Sequence, residues 1–190
     1  MRIIAGKHKG RKLDLPKECV SVRPTSDFAR ESIFNLLTHG RFLQGKDSIL
    51  GKKVLDLFCG SGALGLEALS RGAKSASFID VSNASLGAAK YNAGKLGELE
   101  NCEFLQADAS KLGMARAKYD LVFLDPPYFD KLLAPSLLAL RSGGWLAEDA
   151  LMVVEHDKRE QLKIPEVFTV LDSRRYGRAS IEIMQAKGEN

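Results

Sequence analysis

Apolar positions along this chain follow two periods, and the periods alternate. "KKVLDLF" (52–58), "SASFID" (75–80), "CEFLQ" (102–106), "YDLVFLD" (119–125) and "ALMVVEH" (150–156) are short apolar runs of strand length. Between them lie longer stretches with helical spacing: "ALGLEALSRG" (63–72), closed by Gly72, "NASLGAAKYNAGKLG" (83–97), a short turn after Asp108, and a segment from about Lys131 to Leu140. Strands separated by helices predict a parallel sheet covered on both faces. The end of the chain departs from this rhythm. "VFTVLDSRRYG" and "RASIEIMQA" both read as strands joined through Gly177, so a closing hairpin adds one antiparallel strand.

The first 50 residues are patterned differently. Arg2 to Ala5 and Arg11 to Leu15 are short extended segments separated by "GKHKG", which predicts a hairpin. Pro24 then announces a helix capped by Thr25, Ser26 or Asp27, with Ala29, Ile33, Leu36 and Leu37 on one face and a stop at Gly40. The expected division is an extension over 1–50 and an α/β domain over 51–190.

Charge sharpens this division. The chain of 190 residues carries a net +4, but residues 1–30 hold eight Lys or Arg against three Asp or Glu, leaving the remainder near −1. A basic arm on a near-neutral body points to a polyanionic partner; a solubilising terminus is the simpler alternative. Three widely spaced cysteines (Cys19, Cys59, Cys102) and scattered histidines predict neither a disulfide framework nor a metal site. His8 reads as an arm residue near phosphate, and His39 and His156 as surface or helix-end residues. No apolar run reaches membrane-spanning length and no leader is apparent, so the expectation is a cytoplasmic protein without a membrane partner.

The chemistry gathers where strands end. "VLDLFCGSGALGLEAL" (54–69) places Gly60, Gly62 and Gly65 in a G-x-G-x-x-G spacing between a strand and a helix. With Asp80 closing the next strand, the spacing also matches a dinucleotide fingerprint. Asp56 and Asp108 argue against that ligand: with Asp80 and Asp125 they put an acid at the end of each of the first four strands. Binding crevices of open sheets lie at those ends. An acidic rim repels a pyrophosphate and suits a cationic nucleoside, and S-adenosylmethionine has the required sulfonium, amine, ribose and adenine. The expected roles are Gly60 and Gly62 beneath the methionyl part and ribose, Asp56 near the amine, Asp80 on the ribose hydroxyls, and Asp108 with the Ala109 N–H on the adenine.

The fourth strand runs directly into Asp125-Pro126-Pro127-Tyr128. Two prolines cannot donate to a sheet ladder, so they end the strand and stiffen the turn at its end. An exocyclic amine on a purine is a poor nucleophile because its lone pair is delocalised. The Asp125 carboxylate and the Pro126 carbonyl are candidate acceptors for its hydrogens, acting most strongly as positive charge develops on nitrogen. Tyr128 is the candidate ring for stacking on the base.

These segments, with "RIIAGKHKGRKL" (2–13), "RPTSDFARESIFNLL" (23–37), "DLFCGSGALGLEALSRGA" (56–73), "DPPY" (125–128) and the late "YG" (176–177), resemble the RsmD family of class I methyltransferases. The resemblance spans nearly the whole chain. It implies a Rossmann-like, seven-stranded, mostly parallel sheet with an antiparallel C-terminal strand. It also implies methyl transfer from S-adenosylmethionine to N2 of a guanine in bacterial 16S rRNA, within a small-subunit particle and without a stable protein partner. Asp80 is a departure, since relatives often carry glutamate there. On this reading Arg2, Lys7, Lys9, Arg11 and Lys12 contact phosphates. Arg23 and Arg30 line the target pocket, Arg174, Arg175 and Arg178 form a second basic cluster, and the arm stays outside the cofactor crevice. Adenine-N6 methylation, methylation of a protein amide and a non-catalytic RNA-binding assembly role remain as alternatives.

Overall fold

The computed structural model describes residues 1–15, 27–40, 47–127, 131–160 and 162–188. Its centre is a seven-stranded sheet of β1 (Lys53–Leu57), β2 (Ser75–Asp80), β3 (Cys102–Gln106), β4 (Tyr119–Leu124), β5 (Leu146–Asp157), β6 (Phe168–Tyr176) and β7 (Ala179–Ala186), in the order β3-β2-β1-β4-β5-β7-β6. β1 to β5 pair in parallel, and β7 runs antiparallel to both β5 and β6. The parallel strands and the antiparallel end are those expected from the alternating pattern, and the seven-stranded arrangement is the one the family resemblance implied. β5 starts four residues earlier than its apolar run, because its first part, "LAED", is polar and half exposed.

Helices α1 (Asp27–His39), α2 (Ala63–Ser70), α3 (Asn83–Leu96) and α4 (Leu133–Ser142) cover the sheet. Alternate side chains of the central strands supply two cores. Val54, Phe78 and Phe123 face Ile33, Phe34, Leu37, Leu66 and Ala89. Leu55, Leu57, Val122 and Leu124 face Leu137, Leu140, Trp145 and Met152. Such two-sided burial is why these strands read as unbroken apolar runs. α1 buries Phe34, which the spacing of Ala29, Ile33, Leu36 and Leu37 had not included; its ring lies 5.6 Å from that of Phe123, with the Arg71 guanidinium 4.6 Å above it. Of the expected caps, Thr25 and Ser26 lie outside the described residues.

The basic arm is docked against the body. Arg2 bridges to Lys12, and Gly10 N–H donates to the Ile3 carbonyl at 2.9 Å, closing the expected hairpin. Ile3 and Leu13 are buried in the core shared with α2. The fully buried Glu67 of α2 accepts from the N–H groups of Ile4 at 2.7 Å and Ala5 at 3.0 Å, and from Arg71 Nε at 2.7 Å. Lys7 N–H donates to the Ser70 carbonyl at 2.8 Å, and Ser70 Oγ exchanges bonds with Ala5 and His8. His8, expected near phosphate, lies 2.5 Å from Glu98, which also pairs with Lys7 at 2.7 Å. Glu67 and Ser70 both sit on α2 of the α/β body, so the arm's inner backbone hydrogen bonds are satisfied by that body.

Gly6 lets the hairpin approach this closely. Its φ is +78°, and a Cβ there would lie 1.9 Å from the Ser70 carbonyl oxygen. Gly10 has a similar φ of +84° but faces open space. Gly6→Ala is therefore expected to destabilise the fold by about 2–4 kcal/mol, and Gly10→Ala by only about 1 kcal/mol of backbone strain. Urea unfolding midpoints of the two variants check this, and equal losses would mean that close docking at Gly6 is not what the arm depends on.

Candidate active site

The site is built where β1, β2 and β4 end. In register, Asp56 lies beside Phe78 and Phe123, while Leu57 is flanked by Ile79 and Leu124. The last strand residues thus bring Asp56, Asp80 and Asp125 to one edge. After β1 the chain enters a tight loop in which Phe58 takes φ +67°, a conformation costly for a bulky residue and typical of functional turns. Phe58 and Cys59 both donate backbone N–H groups to the Ile79 carbonyl, at 3.0 and 3.1 Å, which fastens the loop to β2. Gly65 must lack a side chain, because a Cβ would lie 2.5 Å from the Phe78 ring. It thereby lets α2 start directly against the sheet.

Two carboxylates hold this loop by its backbone. Asp80 Oδ2 accepts from Gly60 N–H at 3.0 Å, and its Oδ1 accepts from Ser82 N–H at 2.9 Å. Asp56 Oδ2 accepts from Gly65 N–H at 2.9 Å. Asp56 is buried, not poised at the open rim, and burial raises its pKa to about 8; the charges of Asp125 and Asp80 push it the same way, against the Gly65 hydrogen bond. At neutral pH this acid is largely protonated. The Cys59 thiol is likewise pushed upward by burial and by Asp56 and Asp80, so it is an inert core thiol.

Asp108 sits farther out than its three companions. It is exposed, caps the turn at Ala109–Lys111 by accepting from Ser110 N–H at 2.9 Å, and pairs with Lys111 at 3.4 Å. The Ser110 hydroxyl, donating at 2.6 Å, together with the Ser110 N–H and Lys111, holds its carboxyl below the ordinary range. Ala109 is buried behind it. Asp125 is half buried and Pro126 buried, directly after β4. Tyr128 and Arg23 lie outside the described residues.

Of the expected RNA-contacting residues, Arg2, Lys7, Lys9, Arg11 and Lys12 have exposed side chains, although Arg11 also donates to the Lys95 carbonyl at 2.8 Å. Arg174 and Arg178 are exposed and paired with Asp172 at 3.1 Å and Asp157 at 3.2 Å; Arg175 is exposed. Arg30 differs from its expected place. It is fully buried and donates to the Arg2 carbonyl at 2.9 Å, joining α1 to the arm. His39 ends α1 on the surface, but His156, expected to be superficial, is buried on β5 with Nδ1 3.0 Å from the Asp157 carbonyl oxygen.

Asn92 was not singled out by sequence, and it changes where the arm stands. This fully buried amide accepts from Asp14 N–H at 2.8 Å and donates to the Asp14 carbonyl at 2.9 Å and the Ser61 carbonyl at 3.0 Å. The arm therefore braces the back of the glycine loop, where a position outside the crevice had implied no contact with it. The available signal was a polar residue on the small-residue face formed by Ala89 and Ala93 of α3.

A family model described as conserved hypothetical protein 95 matches residues 1–185. The chain is 34% identical to the ribosomal RNA small subunit methyltransferase D of Escherichia coli K12, over 100% of this chain and 93% of that protein. The chain belongs to this RsmD-like family of class I methyltransferases. The protein of the same description in Haemophilus influenzae is 34% identical over 97% of this chain and 93% of its own length. The solved structure of yhhF from Escherichia coli matches with a TM-score of 0.80 at 32% identity, covering 100% of this chain and 99% of that one. As a member of the RsmD-like family, the chain is an S-adenosylmethionine-dependent methyltransferase.

The raised pKa of Asp56 has a thermodynamic consequence. Its ordinary value is 3.8 and its folded value about 8, so folding takes up a proton between them. Stability then falls as pH rises through that window and levels off above it. Asp56→Asn keeps an acceptor for Gly65 N–H but cannot ionise. It is expected to match the wild type at pH 4 and to exceed it by on the order of a few kcal/mol at pH 8. Chemical unfolding across pH 4–9 checks this, and parallel curves for the two proteins would refute it.

Proposed function

We propose that this enzyme transfers the methyl group of S-adenosylmethionine to the exocyclic N2 amine of a guanine in 16S rRNA, within a small-subunit particle. The observation that carries the reading is the convergence of Asp56, Asp80 and Asp125 at one sheet edge, with Pro126 fixed behind Asp125. Asp80 and Asp125 at this edge, with Asp56 braced behind them, fit a ligand that brings positive charge and hydroxyl donors and oppose a dinucleotide pyrophosphate. Gly60 presents open space where a side chain would stand, as a cradle for such a ligand requires.

On this reading Gly60, Gly62 and Asp80 hold the methionyl and ribose parts of the cofactor, and Asp108 with Ala109 holds the adenine. Asp80 already binds two N–H groups and retains further lone pairs on both oxygens for the ribose hydroxyls. Asp56 acts one layer back, through the Gly65 amide, and so fixes the loop rather than touching the amine. When bound, the sulfonium cofactor supplies an electrophilic methyl group. The Asp125 carboxylate and the Pro126 carbonyl accept hydrogen bonds from the target amine, drawing its lone pair onto nitrogen and gaining strength as nitrogen becomes positive. Tyr128 stacks on the base. Once methylated, the ammonium-like nitrogen is acidic, and the Asp125 carboxylate that accepts its hydrogen bond receives its proton.

RNA is held by the extension over 1–50 and by the terminal hairpin. The relatives named ribosomal RNA small subunit methyltransferase D support rRNA as the substrate, and the exposed side chains of Arg2, Lys7, Lys9, Arg11 and Lys12 support a phosphate-facing arm. Such a substrate implies action in the cytoplasm, where the subunit is assembled. The target guanine has to leave its stack for N2 to reach Asp125.

Transfer of a labelled methyl group to small-subunit particles, intact ribosomes, naked rRNA, DNA and protein, followed by nucleoside mapping, tests the reading; label in N2-methylguanine from the particle is the expected result. Label in N6-methyladenine or in protein would replace it. In single-turnover assays Asp125→Ala is expected to lower transfer by about 10²–10³-fold while changing cofactor affinity little. A variant that kept its rate but lost cofactor affinity would make Asp125 a cofactor ligand.

A further inference from the structure

A second concave surface opens beside the crevice. It is a groove with a cavity of about 310 Å³ between the outer face of α1 and β6, the edge strand of the sheet. Ser32, Asn35 and His39 line it from α1, and Asp172, Arg174 and Tyr176 from β6. At its mouth the rings of Phe28 and Tyr176 meet edge to face, 5.8 Å apart at 79°. Phe28 is 64% exposed, with an aromatic face open to solvent on a helix whose other side is core.

Register fixes where this mouth lies. Tyr176 pairs with Ala179, Ala179 with Asp157, and Asp157 is three residues beyond Val154, the partner of Leu124. The mouth is therefore at the same edge of the sheet as Asp125, three strand positions away. At about 4.8 Å per strand that is a lateral distance of about 14 Å. The groove then runs from the catalytic edge down the side of the molecule.

Its chemistry selects among occupants. Asp172 is the acid in the lining, and Arg174 pairs with it at 3.1 Å. Arg178 is held by Asp157 at 3.2 Å, which leaves Arg175, exposed on the same hairpin, as the further guanidinium nearby. Asn35 is exposed and its amide makes no hydrogen bond among the described residues. An open aromatic face, a free amide and a guanidinium are the parts used to hold an unpaired nucleotide: stacking for the base, amide bonds for its edge, guanidinium for its phosphate. A peptide added to the β6 edge would use backbone groups and apolar pockets instead.

We propose that this groove holds one unpaired nucleotide of the RNA strand flanking the target, its base stacked on the open face of Phe28 with the Tyr176 ring against its rim, its edge bonded by Asn35 and its phosphate by Arg174. The proposal deepens the rRNA reading and rests on it. Its role is to hold the strand after the target base has left the stack, so that the energy of one stacked neighbour opposes return of the base.

The test uses the full-length enzyme with a fluorescein-labelled single-stranded octaribonucleotide, the same sequence as duplex, and a poly-glutamate control. Phe28→Ser and Asn35→Ala are expected to weaken single-strand binding by about five- to a hundredfold for the aromatic and less for the amide. Duplex and poly-glutamate binding should be unchanged. S-adenosylmethionine affinity of each variant, read by calorimetry, reports whether the fold survives. For the wild type, photo-crosslinking with 4-thiouridine-containing RNA should map to residues 28–39 or 172–176, which keeps the proposal falsifiable should Phe28→Ser fold poorly. Unchanged single-strand affinity, or crosslinks confined to the arm, would overturn it. So would loss of duplex and single-strand binding together, since that marks a purely electrostatic surface. These readouts need no methyl transfer, so failure of the groove and failure of the guanine-N2 reading are separable.

Discussion

Two backbone amides, that of Gly60 in the loop after β1 and that of Gly65 in the first turn of α2, donate to carboxyl groups from two neighbouring strands, and the crevice has its shape because of them. Parallel strands deliver their ends to one edge of the sheet, where the chain must turn sharply into a helix. Amide groups at such a turn have no sheet partner and the first turn of a helix supplies none. Asp80 and Asp56 meet that need from the strands themselves. The cost is a concentration of negative charge: burial and the charges of Asp125 and Asp80 raise the Asp56 pKa to about 8. Of the three acids gathered here, the buried one is thereby kept mostly neutral.

A second tie holds the same loop from behind. The Asn92 amide joins Ser61 to Asp14, and Glu67 joins α2 to Ile4 and Ala5. The arm that carries the basic side chains is thus bonded, through two buried groups, to the two elements that form the crevice. A buried amide with three bonds and a buried carboxylate with three donors lose much if the arm moves, because each is left with unmet hydrogen bonds. On the proposed reading, this gives a physical route by which RNA held on the arm bears on the cofactor loop.

Much of the fold was legible because its signals are local. Two-sided burial makes β1 and β4 unbroken apolar runs, and the closing hairpin is marked by Gly177 between two strand-like segments. The glycine loop and Asp125-Pro126-Pro127 were legible because each couples a strand end to residues that strands avoid. What escaped was decided by contacts across the chain. Arg30 read as a residue of the target pocket, yet it is buried and its guanidinium donates to the Arg2 carbonyl, 28 positions earlier. His156 looked superficial because a histidine in a strand says nothing of the β7 partner that covers it. Asn92 pairs with residues 78 and 31 positions away, and only its place among the small residues of α3 hinted at burial. Asp56 was legible as an acid at the rim but not as a buried brace, since both situations demand the same residue at the same strand end.

The acidic edge and the basic arm are two halves of one electrostatic arrangement. An RNA phosphate is repelled by Asp80 and Asp125, so a polyanion cannot settle over the crevice without something to neutralise it. On the proposed reading the cationic cofactor does so at the edge, while the exposed arginines and lysines of the arm and of the β6–β7 hairpin hold phosphate on either side of it. The backbone of the RNA is then kept at the flanks, and what projects over Asp125 is a base, which is uncharged. A carboxylate at that point attracts the hydrogens of an exocyclic amine and repels phosphate oxygens. On this reading the acidic edge, with cations elsewhere on the surface to take the phosphates, favours an extruded base at the catalytic position without requiring any contact that reads its sequence.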